Sequence, residues 1–199
     1  MLQKIQRLSQ LKEWGYNTPK IMQIDYGTKI DSKLLKKLRD FAGIAEKMTI
    51  RTYNYKNELI DFKTDFYPEI PTEEAIEKIQ SLVSRYNVLF QEAIDVNTTL
   101  ITGNIALKRD ESGFYDILKG RFRVRDVDKP PSRVKRLSER FEIIYKINDS
   151  EMREIIFELK DIPLLVPYDQ GVIIEFDLHE DKVGERGENL ILWEYRPLG

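Results

Sequence analysis

The chain has no cysteine and a single histidine in 199 residues. The absence of cysteine excludes a disulfide framework and a thiolate metal site, and it fits a reducing interior. One histidine, His179, makes neither a histidine metal centre nor a catalytic triad, and it is expected at the surface. No apolar run approaches membrane-spanning length and no leader-like segment opens the sequence. These absences together predict a cytoplasmic protein with no membrane partner. Glycine signatures are missing too. No Gly-x-x-x-x-Gly-Lys-Ser/Thr loop is present, which excludes a P-loop, and no Gly-x-Gly-x-x-Gly opens a helix. A Gly-x-Ser-x-Gly nucleophile elbow is also absent.

Charge is not lacking in either sign. Charged residues make up 33% of the chain, yet the net charge is -2. The length suits one domain, or two intimately packed lobes, with a real core. Richness in Lys, Glu and Ile without Cys is similar to the composition of thermophile proteins. Residues 119–140 hold nine Lys or Arg against three acids, so the remainder is acidic. A basic segment in an acidic chain points to an anionic ligand or partner.

The first part of the chain reads as helix-rich. Leu2, Ile5, Leu8 and Leu11 share a helix face over 2–14, and Gly15 stops it. An extended stretch, Lys20 to Ile24, follows Pro19. Ser32 is expected to cap a helix closed by Gly43, and Thr72 another with Glu73 and Glu74 in its first turn. Met48 to Tyr53 alternates as a strand, whereas 54–71 shows no period. The later part reads mostly as strand: Val88 to Ala93, Thr98 to Leu107, Phe114 to Leu118, Arg121 to Val127 and Phe141 to Ile147. Asp110 to Gly113 makes 98–118 a hairpin. Ser132 to Arg140 is expected to be helical, as is the segment from Asp149 or Ser150 to Leu159. The predicted class is α+β, with mostly antiparallel sheets flanked by helices, a lobe at 1–86 and a second at 87–199.

The chemistry concentrates at the end. Val172 to Asp177 and Leu190 to Pro197 form two apolar strands across a polar turn, each carrying an acid among hydrophobic neighbours. Acids in apolar strands need a partner, and a divalent metal with phosphate is one. Glu194 and Arg196 fall on one strand face by alternation. A surface Glu–Arg pair on an ordinary hairpin is the alternative. Arg121, Arg123 and Arg125 also share a face, opposite Phe122 and Val124, either as solvated charges or as an anion-binding strip.

Several pieces, taken in order, resemble the ATP-binding domain of the phosphoenolpyruvate synthase and pyruvate phosphate dikinase family. They are Lys4-x-x-x-Leu8 with Gly15 and Pro19, Met48 to Thr52 around Arg51, and Val88 to Ile94. Thr102 to Leu107, Ile174-Glu175-Phe176 and Ile191 to Pro197 complete the set. The resemblance covers nearly the whole chain and implies an ATP-grasp fold with ATP and Mg²⁺ as cofactors. By position it implies that Lys4 and Arg51 contact phosphates, that Gln91 and Glu92 lie at the adenine edge, and that Glu175 and Glu194 hold Mg²⁺. Arg196 would meet phosphate, with Arg51 and Arg196 the catalytic pair. In such an arrangement Arg121 and Arg123 would lie near the nucleotide cleft.

The chain departs from the pattern. It begins too late for the family's Gly-Gly, has no glycine in 54–71, and carries Glu194 where the family has Gln. No stretch of these 199 residues resembles the family's phosphohistidine domain, and a separate phosphohistidine-type partner is one expectation. Three readings remain open. The first is an ATP-dependent phosphotransferase or ligase with an unknown acceptor. The second is a non-catalytic nucleotide-sensing or docking module. The third is RNA or another polyanion bound through 119–140, against which the near-neutral total charge argues.

Overall fold

The computed structural model describes residues 2–54, 66–110, 112–120, 132–137, 140–143 and 169–198. The chain divides into two compact units. One comprises Met1–Ile5 with Pro19–Ile94, and the other Gln6–Thr18 with Asp95–Gly199.

In the first unit, β1 (Ile21–Ile24), β2 (Lys47–Asn54), β3 (Phe66–Pro71) and β4 (Tyr86–Glu92) form an antiparallel sheet of order β1-β4-β2-β3. Helices α2 (Ser32–Ala42) and α3 (Thr72–Leu82) supply its core. Alternation sends Met48, Ile50, Val88 and Phe90 to one sheet face, against Leu38, Ala42, Ile76, Ile79 and Leu82. Thr49, Arg51, Leu89 and Gln91 take the other face, with Thr49 opposite Gln91 and Arg51 opposite Leu89.

Both expected helix caps move. The cap of α2 is Asp31, whose carboxylate accepts the Leu34 N–H at 2.8 Å, and Ser32 is already helical. Asp and Ser are equally good caps, so the first of the two to meet the turn takes the role. Thr72 does not cap α3: Pro71 precedes the helix, and the Thr72 hydroxyl donates to the Ala45 carbonyl at 2.5 Å. Strand β3 was not expected. Its Pro68 and a bulge opposite β2, with Glu69 at φ 51°, break the alternation that would reveal it.

The second unit is built on a six-stranded antiparallel sheet of order β10-β9-β5-β6-β7-β8. Its strands are β5 (Thr99–Leu107), β6 (Gly113–Lys119), β7 (Ser132–Leu137), β8 (Arg140–Ile143), β9 (Val172–Val183) and β10 (Glu188–Pro197). The 98–118 hairpin is present, and its turn is fixed by Asp110. That carboxylate accepts from the Ser112 hydroxyl at 2.6 Å and from the Ser112 N–H at 3.0 Å. These bonds hold it below the usual carboxylate range. One sheet face is apolar, with Ile101, Ile105, Tyr115, Ile117, Ile174, Phe176 and Leu192 all buried. Gly103 lies in that face between Phe176 and Ile117, where a Cβ would come within 2.3 Å of the Asp116 carbonyl.

The helix expected over 132–140 is two strands instead. Val134 and Leu137 have helical spacing, but Ser132 to Arg136 pairs in register with β6, and that long-range pairing overrides local propensity. The expected helix from 149 or 150 to 159 lies outside the described residues. Among the described residues no helix is long and apolar enough to cross a membrane.

Helix α1 (Leu2–Glu13) carries Leu8 and Leu11 inward. The segment after it clamps the β9–β10 hairpin. Asn17 is 2% exposed; its amide donates to the carbonyls of Val183 at 2.8 Å and Leu190 at 3.0 Å. Its side-chain oxygen accepts the Arg186 N–H at 2.9 Å, and its own carbonyl accepts the Leu192 N–H at 2.9 Å. Replacing Asn17 with Ala strands the Val183 and Leu190 carbonyls and the Arg186 N–H, while the backbone bond to Leu192 stays. The expected loss is about 2–4 kcal/mol, read as a fall of roughly 4–16 °C in Tm. An unchanged melting curve would contradict the clamp.

Candidate functional site

The second unit places Glu175 and Glu194 directly opposite each other on neighbouring strands. Facing positions of this kind bring Cβ atoms to about 5 Å. Asn104 lies opposite Glu175 on the other side, on β5, and Asp116 lies opposite Asn104 on β6. A row of oxygen-bearing side chains therefore crosses four strands. Glu175 and Asn104 are exposed, while Glu194 and Asp116 are half-buried. Arg196 is exposed two residues past Glu194, opposite Ile173, and so shares the face of the two acids.

Two carboxylates facing each other repel, and a cation between them would remove that cost. Part of the compensation is already supplied by Arg7 on α1, whose Nη1 is 3.6 Å from Glu194 Oε1. The donor set suits a hard cation. Mg²⁺ takes oxygen ligands, keeps several waters and prefers one or two carboxylates plus phosphate oxygens. Among the described residues no group of three or more His, Cys, Asp or Glu is placed to hold a metal. Glu175, Glu194 and the Asn104 amide oxygen are the neighbouring oxygen donors that such a Mg²⁺ shell could draw on.

The remaining predicted residues fall as follows. In the first unit Arg51 and Gln91 share one sheet face. Gln91 is 4% exposed, and the Arg51 guanidinium sits 4.8 Å from the Phe66 ring centroid. The Arg51 Nε is buried, and among the described residues it has no hydrogen-bond partner. A buried donor of that kind calls for an acceptor, and a phosphate oxygen is one. Glu92 is on the opposite face from Gln91. Its carboxylate accepts the Lys20 N–H at 3.4 Å, and its own N–H donates to the Lys20 carbonyl at 3.0 Å. Its observed contacts therefore tie down the start of β1. Lys4 lies within α1, and its side chain is outside the described residues, as are Arg121 and Arg123.

Sequence reasoning missed Asn104, Arg7 and Asp177. Asn104 lies inside the Thr102 to Leu107 stretch with nothing to single it out, and its place beside Glu175 follows from register alone. Arg7 follows Lys4 by about one helical turn, and nothing in the helix pattern singles it out. Asp177 is 2% exposed, accepts the Trp193 indole N–H at 2.7 Å and also accepts the Thr102 hydroxyl. A second acid two residues after Glu175 was the available signal. His179, expected at the surface, is fully buried, with Nδ1 3.0 Å from the Thr98 hydroxyl.

No family model matches the sequence, and no curated protein matches it. Among solved structures, the chain is similar to the macrocyclase MdnC of Microcystis aeruginosa, bound with precursor peptide MdnA. That match has 14% identity and a TM-score of 0.45, and it covers 98% of this chain and 52% of that one. An N5-carboxyaminoimidazole synthetase from Staphylococcus aureus, complexed with ADP, matches at 11% identity and a TM-score of 0.49, over 98% and 44% of the two chains. A D-alanine-D-alanine ligase from Helicobacter pylori matches at 14% identity and a TM-score of 0.48, over 100% and 55%. The chain thus spans about half the length of these proteins. Such likenesses assign neither family nor activity to it.

The facing acids give a direct expectation. With divalent cations chelated, Glu175→Gln removes the cross-strand repulsion and stabilises the protein by about 0.2–1 kcal/mol. Denaturant unfolding in EDTA reads this, and a destabilised variant would show that the two charges are not opposed.

Proposed function

We propose that the chain is an ATP-grasp-like module that binds Mg-ATP and directs the γ-phosphoryl group to an acceptor. The observation that supports this most is the direct cross-strand pairing of Glu175 with Glu194, with Asn104 beside them and Arg196 on the same face. Glu175, Glu194 and Asn104 would hold the metal. Bound Mg²⁺ would supply charge neutralisation at the phosphate oxygens. Arg196 offers a fork of donors that fits phosphate oxygens, and Arg51 carries a buried Nε that such an oxygen would satisfy. Gln91, on the same sheet face as Arg51, is the candidate for the base edge. Lys4 and the arginines at 121 and 123 remain candidates for phosphate contact.

Phosphoryl transfer needs little covalent chemistry from a protein. Positioned positive groups that neutralise charge on the transferring oxygens carry most of the effect. The reaction class is therefore phosphotransfer, or ligation through an acyl-phosphate when the acceptor is a carboxylate. Kinship to the phosphoenolpyruvate synthase and pyruvate phosphate dikinase family is the finer form of this reading, and the ordered motifs support it. In that form a separate phosphohistidine-type partner would receive the phosphoryl group.

A second reading is favoured by one feature, the lack of any glycine in 54–71. Glycine-rich backbone is the usual means of approaching phosphates closely. A module without it would bind nucleotide and not turn it over.

A thermal-shift titration with ATP, ADP, AMP and GTP, each with and without Mg²⁺, tests the proposal. A ligand at a hundred times its Kd adds about 2.7 kcal/mol. The expected result is a shift that requires Mg²⁺, prefers ATP and is lost in Glu194→Ala and Arg196→Ala. Equal shifts in both variants would sink the site assignment. ADP release on adding carboxylate acceptors separates the enzyme from the non-catalytic module.

A further inference from the structure

Glu194 does not face Glu175 by default. Leu192 lies opposite Phe176. A regular strand would next set Trp193 opposite Glu175, and Glu194 opposite Ile174 in the apolar face, because strand register alternates sides. Instead β10 holds one extra residue between Leu192 and Glu194. A bulge of this kind reverses the alternation: Leu192 keeps its place in the core and Glu194 turns to the polar face.

The extra residue is Trp193, 8% exposed. Its Nε1–H donates to Asp177 Oδ2 at 2.7 Å in a buried hydrogen bond. The other carboxylate oxygen accepts the Thr102 hydroxyl from β5. Asp177 is 2% exposed and follows Glu175 on the same face of β9. One buried carboxylate thus ties three adjacent strands together at the level of the bulge. A charged acceptor makes these bonds stronger than neutral ones, and its burial makes their loss costly.

We propose that Asp177 and Trp193 are the positioning pair of the site, holding the bulge that turns the Glu194 carboxylate towards Glu175. What the two glutamates bind rests on the Mg-ATP reading above; the geometry does not. Loss of an outer partner of a metal-binding group typically costs about 10–100-fold in metal affinity.

Trp193→Phe tests this in the full chain, since it keeps a ring and removes the donor. By NMR, the variant is expected to lose the backbone contact between residues 194 and 175 while keeping that between Gly103 and Phe176. By calorimetry, its affinity for Mg-ATP is expected to fall about 10–100-fold. Asp177→Asn keeps an acceptor for the indole and restores both readouts towards wild type. Asp177→Leu, close in volume and apolar, matches Trp193→Phe and serves if that variant does not fold. A 194–175 contact intact in the folded variants, or an unchanged Mg-ATP affinity in them, would overturn the pair's role. If the wild type binds no Mg-ATP but the contact is lost in Trp193→Phe, the functional reading fails and the positioning pair stands. A purely structural role would lower Tm in every variant and leave the 194–175 contact in place.

Discussion

Two like charges held face to face are the constraint on which the second unit turns. Glu175 and Glu194 occupy opposite positions on β9 and β10, and the strand pairing that fixes them there is not the one a regular hairpin would give. A chain selected only for stability has no reason to insert a residue that brings two carboxylates together. The insertion is accompanied by a buried carboxylate, Asp177, with donors from both flanking strands. Polar groups buried this deeply are costly unless fully bonded, so their presence marks a position that must be held in one arrangement. Asn104 lies beside Glu175, and Arg196 lies on the same face as the two acids.

The rest of that unit supports the same place. Gly103 allows β5 to pass close to β6, and the β5–β9 register sets Asn104 opposite Glu175. Asn17 ties the distal end of the β9–β10 hairpin to the segment after α1, and Arg7 on that helix reaches Glu194. In the first unit, a conventional two-helix core on one sheet face leaves the other face to Thr49, Arg51 and Gln91. The half-buried Arg51 lies over the Phe66 ring with its Nε buried.

The α+β class and most strands could be read from the sequence, because the alternation at Met48 to Tyr53 and the strand stretches at Thr98 to Leu107 and Val172 to Asp177 survive in the fold. The Glu175 and Glu194 candidates were legible for the same reason, as acids in otherwise apolar strands. What escaped were features set by pairing with distant segments. Strand β7 lies where a helix was expected over 132–140, and only the register with β6 decides otherwise. Asn104 carries no local signal of its role, and Asp177 only that of a second acid two residues after Glu175. The bulge at Trp193 has none either, since one extra residue changes which face every later side chain takes. The simple alternation that placed Glu194 and Arg196 on one face was correct, because both lie beyond the bulge.

The most direct measurement is paramagnetic: Mn²⁺-ATP added to isotopically labelled protein, with backbone resonances followed by NMR. The account predicts that Asn104, Glu175 and Glu194 broaden first, at a Mn²⁺-ATP level that leaves β7 and β8 untouched. Broadening centred elsewhere, or none at saturating Mn²⁺-ATP, would contradict a metal–phosphate site between these strands.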